Sequence, residues 1–131
     1  MPDNKQKFNV SVAKKSSYKN GLRDFLEYRD LGIKSATNGE YHAHILRVKR
    51  ECKGDQELHT TGFHKHMVAF QMYYVLNGWV KFIYKGHGEQ TFIKGDCVLA
   101  PAAIEHNELS CSDDFEALEI LSPGNHETVK V

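Results

Sequence analysis

The chain has 131 residues and a mass of 15.0 kDa, which is room for one domain with a single core and, economically, one site. Its 17 Lys and Arg balance its 17 Asp and Glu, and apart from a Lys-rich first fifteen residues the cations are scattered, which excludes a broad footprint for nucleic acid. No run approaches the ~18 apolar residues that span a bilayer, and MPDNKQKFNV lacks the apolar core of a signal peptide, so a soluble cytoplasmic protein with no membrane partner is expected.

Residues 1–22, with KK, SS and KNG, read as a polar N-terminal arm ordered only by packing on something else, and residues 23–131 as one barrel domain. RDFLEYRDLG fits either a short helix or an extended edge. From about Tyr41 the text becomes short β-type runs: YHAHILRVKR, QMYYVL, WVKFIYK, EQTFI, CVLA, HNELSC and FEALEIL. Gly, Asn and Asp punctuate them, and strands this closely spaced indicate an all-β sandwich or barrel rather than alternating βα units.

Asn77-Gly78 suits a two-residue type I′ hairpin, which would set Val75 against Val80, Tyr73 against Phe82 and Gln71 against Tyr84. Alternation gives Gln71, Tyr73, Val75, Val80, Phe82 and Tyr84 one face and Met72, Tyr74, Leu76, Trp79 and Ile83 the other. The first face, without Gln71, is the expected lining of a small-molecule pocket. The second is also mainly apolar, so it needs a cover from the arm, a second sheet layer or another subunit, and a homodimer is expected.

The chemistry-bearing stretch is HKHMVAFQ. His64 and His66, two apart on a strand, put both imidazoles on one face ~7 Å apart along the backbone, near enough to converge on one ion. Gln71 lies at an odd separation, so the chain must bend at 67–70 for it to share that interior. Pro101 then breaks a short strand before His106 opens the next. Three imidazoles and an amide oxygen would suit one divalent Fe, Mn, Ni, Co or Zn with open positions for a ligand. His42 and His44 repeat the spacing without a downstream partner pattern and read as structural or exposed; His59, His87 and His126 read as solvated. Cys52, Cys97 and Cys111 are an odd set without CxxC spacing and read as reduced thiols.

His64, His66, Gln71 and Gly78 stand at the separations of the first motif of the cupin superfamily, and Gly95, Pro101 and His106 resemble its second motif. The resemblance covers about residues 41–121. It implies a jelly-roll barrel, the double-stranded β-helix, with His64, His66 and His106 as metal ligands. Three departures stand out: Gln71 replaces the family's Glu, Ala103 its Gly and Ser110 its Asn. An amide in place of a carboxylate leaves the full charge on the ion, weakens that ligand and cannot act as a general base.

The family hosts many activities. The expected function is dioxygenase-like chemistry on a small carboxylate or enol-type molecule at one divalent metal. The alternatives are a metal-dependent small-molecule binder without catalysis and a redox-neutral decarboxylase or isomerase. That last reading needs an acid or base near the metal: Glu105 points outward by alternation from His106, whereas Glu108 shares the parity of His106 and can face inward.

Overall fold

The structure, a computed structural model, describes residues 5–20, 25–50, 52, 63–125 and 128–130, with backbone alone for the last three. His59 and His126 lie outside the described residues. The strands are β1 (Lys19–Asn20), β2 (Leu26–Asp30), β3 (His42–Val48), β4 (His64–His66), β5 (Phe70–Asn77) and β6 (Trp79–Tyr84). They continue with β7 (Gly88–Ile93), β8 (Cys97–Leu99), β9 (His106–Cys111), β10 (Glu116–Ser122) and β11 (Thr128–Lys130). One helical turn, α1 (Ile33–Ala36), follows β2, so the described part of RDFLEYRDLG is an extended strand between β1 and β3 that leads into a helical turn.

Two antiparallel sheets form the barrel. One runs β1-β2-β3-β10-β5-β8 and the other β11-β4-β9-β6-β7. Each sheet therefore draws strands from distant parts of the chain, the jelly-roll arrangement expected from the sequence. Between them lies a core that includes Phe25, Leu26, Val75, Val80, Phe115 and Ala117, all at most 4% exposed. Burying a side chain such as Leu26 or Phe115 contributes ~1.5–3 kcal/mol.

The Asn77-Gly78 hairpin does not form, and this corrects the expected pairing. β5 pairs with β10 and β8, whereas β6 pairs with β9 and β7, so the chain crosses between sheets at Gly78. The physical reason is local: Gly78 alone takes positive φ (67°), so the two consecutive left-handed residues of a type I′ turn are missing. A Cβ at Gly78 would stand 2.1 Å from Ser112 Oγ and 3.0 Å from Phe115 Cα, so the crossing is sealed against the β9–β10 turn. The inward face survives the change of pairing, because parity along each strand does not depend on its neighbour. Gln71, Val75, Val80, Phe82 and Tyr84 are buried, while Tyr74 and Trp79 stay about 40% exposed on the outer side.

The described part of the arm, residues 5–20, lies against the β2 edge. β1 pairs with β2, and Arg29 holds Ser11 through its carbonyl and its hydroxyl. No described helix is long and apolar enough to cross a membrane. None of the three cysteines is in a disulfide; Cys97 is exposed, Cys52 half-buried and Cys111 buried.

Candidate metal centre and the wall opposite

The bend required between His66 and Gln71 is present. β4 ends at His66, Val68 N–H closes a tight turn on the His66 carbonyl, and Ala69 N–H reaches the Ser122 carbonyl as the chain crosses to the other sheet. His64 sits opposite His106 across the β4–β9 pair. The ring centroids are 4.3 Å apart for His64–His106, 5.0 Å for His64–His66 and 5.2 Å for His66–His106. One nitrogen from each lies within 4.8 Å of the others, so three neutral imidazoles can close on one ion.

His106 is 2% exposed and its Nδ1 is 3.0 Å from the Ile104 carbonyl. A carbonyl only accepts, so Nδ1 carries the hydrogen and Nε2 is left as the metal-facing atom, the orientation that a backbone partner gives a ligating histidine. The turn before His106 is closed by Ile104 N–H on the Pro101 carbonyl, with Ala103 at φ 57°. Ala103 therefore adopts, at some cost, a left-handed backbone that a glycine would take freely.

All three histidines belong to the β4–β9 sheet. Facing them from β3, β10 and β5 is a polar row that the sequence did not disclose. His44, Glu119 and Tyr73 are in register across these three strands. His44 Nε2 is 2.5 Å from Glu119 Oε1. Gln71 Nε2 donates to Glu119 Oε2 and to the Tyr73 hydroxyl, 2.8 Å each. His42 Nε2 lies 3.2 Å from His44 Nδ1.

Burial by itself would raise the Glu119 carboxyl. The His44 hydrogen bond and charge, with hydrogen bonds from Gln71 and Tyr73, overturn that and hold it at about 2. Glu119 is therefore a carboxylate at neutral pH. Burial, reinforced by the nearby carboxylates, pushes the Tyr73 and Tyr84 hydroxyls up, so both stay protonated.

One cavity of about 320 Å³ touches both walls: His64, His66, His106, Phe82 and Glu108 on one side, and His42, His44, Tyr73 and Glu119 on the other, with Lys34 and Tyr28 among its remaining lining. Of the five expected pocket residues, Tyr73 and Phe82 line it. Val75 and Val80 are packed in the core, and Tyr84 lines a smaller recess with His87 and Phe92. Tyr73 and Phe82 meet across the barrel, with ring centroids 5.6 Å apart, rather than side by side in a hairpin. Glu108 is buried on the cavity wall, whereas Glu105 points out to an ion pair with Lys85 at 3.1 Å. His87 is exposed in a turn.

No family model and no curated protein matches the sequence. Solved structures do. KdgF from Halomonas sp. is 16% identical, with a TM-score of 0.67 over 89% of this chain and 94% of its own. The polyketide cyclase RemF from Streptomyces resistomycificus is 11% identical, with a TM-score of 0.69 over 95% of this chain and 86% of its own. An RmlC-like cupin from Shewanella frigidimarina is 18% identical, with a TM-score of 0.63 over 91% and 94%.

The chain has the cupin fold. Within this fold the glutamine at position 71 is accounted for by its neighbour. A glutamate at 71 would set a second carboxylate against Glu119, while the amide supplies Glu119 with a donor. The negative charge absent from position 71 is thus held one strand away, so a cation on the three imidazoles would have less electropositive surroundings than the motif alone implied.

Proposed function

We propose that the protein is a metal-dependent enzyme that binds a small carbonyl- or carboxylate-bearing molecule and transforms it by redox-neutral proton transfer. The reading is carried by one observation: three converging imidazoles and a buried carboxylate–imidazole pair line opposite walls of the same cavity. The dioxygenase expectation asks little acid–base help of the protein, whereas a redox-neutral reaction needs an acid or base on the cavity wall. His44, Glu119 and Glu108 fill that role, which favours the redox-neutral reading.

In this reading His64, His66 and His106 hold a divalent ion, and Gln71, whose nitrogen is committed to Glu119 and Tyr73, has Oε1 to offer as a weak fourth ligand. When bound, the ion supplies Lewis acidity toward a carbonyl or carboxylate oxygen. Lys34, on the cavity lining, adds a cation for an anionic substituent. Phe82 and Leu46 exclude water, and the His44–Glu119 pair holds or moves a proton.

The test is elemental analysis of protein purified without chelator, followed by turnover of a panel of diketones, catechol-like compounds and α-keto acids, observed by NMR with and without O₂. Products formed equally under both conditions support the proposal. Stoichiometric oxygen uptake would transfer support to the dioxygenase, and silence with a water-free first shell of zinc or nickel would support a binding protein.

A further inference from the structure

The Lys-rich arm roofs a groove that the metal-side chemistry does not use. The groove, about 620 Å³, runs beneath Val10–Ser17 and adjoins the metal-side cavity, since Tyr28, Lys34, His42 and His44 line both. The arm is tied down on either side of it. Before the groove, Lys7 N–H reaches the Ala36 carbonyl at 2.8 Å and the Asn9 side-chain amide reaches the Leu31 carbonyl at 2.9 Å. Beyond it, β1 pairs with β2, and the Arg47 guanidinium lies 3.6 Å from the centre of the Tyr18 ring. The span between these anchors, with a 3₁₀ turn at Ala13–Lys15, is therefore held over the groove at both ends.

The charge around this groove is one-sided. Lys15 and Lys19 come from the arm and Lys34 from α1, against one carboxylate, Asp30, whose Oδ1 already accepts from Gly32 N–H at 2.7 Å. None of the three lysines is in an ion pair with a described residue. Lys15 and Lys19 are exposed and screened by water, so each contributes little alone. Lys34 is half-buried, with its stem against Gly124, where an added Cβ would stand 3.1 Å from Lys34 Cγ. Three like charges around one groove repel one another until an anion enters.

We propose that the groove is a second subsite for the molecule bound in the metal-side cavity, and that this molecule is a double-ended anion. One end is the carbonyl or carboxylate that faces the histidines, and the other is a phosphate or carboxylate held by Lys15, Lys19 and Lys34. This rests on the metal-dependent reading above. Size agrees with it, because the metal-side cavity alone is near the lower end of small-molecule sites, about 300–1000 Å³, and the groove supplies the room for a second group. The cation type agrees as well. Among the described residues no arginine lines the groove, so the far end is recognised by point charges, which suit an anionic oxygen group of either shape, rather than by a planar fork. Lys34, shared by both cavities, stands at the junction between the two ends.

The experiment is calorimetric titration of the zinc-loaded full chain with three keto acids that share one head and differ at the far end: 2-oxobutyrate, 2-oxoglutarate and 2-oxo-4-phosphonobutyrate. A probe with a second anion should bind about tenfold more tightly than 2-oxobutyrate, roughly the sum of three screened charge pairs, and the advantage should shrink as salt is raised. Whichever of the two gains more identifies the far group. Lys15→Gln together with Lys19→Gln should cut the gain by about threefold while zinc content and 2-oxobutyrate affinity stay as they were. Equal affinity for all three probes, or a gain that survives the double substitution undiminished, would overturn the subsite. If zinc is not taken up or 2-oxobutyrate does not bind, the metal reading falls by itself, and amide NMR of the metal-free chain with inorganic phosphate decides the groove. Shifts at Lys15, Lys19 and Lys34 that weaken in the double variant would support it, and their absence would overturn it.

Discussion

Gln71 and Glu119 face one another from adjacent strands inside the barrel, amide nitrogen to carboxylate oxygen at 2.8 Å. Exchange tests this pairing. Gln71→Glu would bring two carboxylates together, of which one must take up a proton or break the row, so a loss of ~1–3 kcal/mol at neutral pH is expected that shrinks in acid. The double variant Gln71→Glu with Glu119→Gln restores one donor and one carboxylate and should recover most of the loss. Urea melts at pH 5 and pH 8 check both statements.

Metal retention should divide the first-motif and second-motif residues unequally. His106→Ala leaves two imidazoles and should reduce bound metal at least tenfold, whereas Gln71→Ala keeps all three and should reduce it only in part. Elemental analysis after identical purification is the measurement. Equal retention in the two variants would count against the three-imidazole site.

Acid stability should report on Glu119. Its carboxyl is held at about 2 in the folded chain against 4.5 for an ordinary glutamate. A depressed folded value stabilises the fold above the unfolded value, and that contribution is lost as pH falls from about 4.5 toward 2. Glu119→Gln should therefore flatten the acid limb of stability against pH, as read by thermal melts between pH 2 and pH 6.

Ala103 offers a stabilising substitution. Its φ of 57° is left-handed backbone that a glycine adopts freely. Ala103→Gly should raise stability by up to ~1 kcal/mol, the strain relieved exceeding the entropy added to the unfolded chain. Calorimetry would detect it, and a fall in Tm would show that the Ala103 methyl is needed for packing.

Much of this was legible in the residues because strand parity is a local property. Alternation along QMYYVL and WVKFIY identifies the inward side chains even though the strands belong to different sheets. Pairing is not local: β10, more than forty residues after β5 begins, takes the place expected of β6, and one positive φ in place of two left Asn77-Gly78 unable to direct a hairpin. Spacing brings forward His64, His66 and His106, which converge, but His42 and His44 have the same two-residue spacing and no motif to set them apart. The partner of His44 is 75 residues downstream in FEALEIL, where both parities carry apolar side chains. The available signal was that Glu119 shares its parity with Ala117 and Leu121, both buried, whereas a solvated glutamate would share it with polar neighbours.

Phe82 touches both halves of the chemistry, its ring centroid 5.6 Å from that of Tyr73 and 6.2 Å from that of His106. It is a spacer between the histidine wall and the Tyr73 wall of the cavity. Trimming it would widen the space between those walls, so under the proposed function the length of molecule accepted should depend on an uncharged ring that performs no chemistry itself.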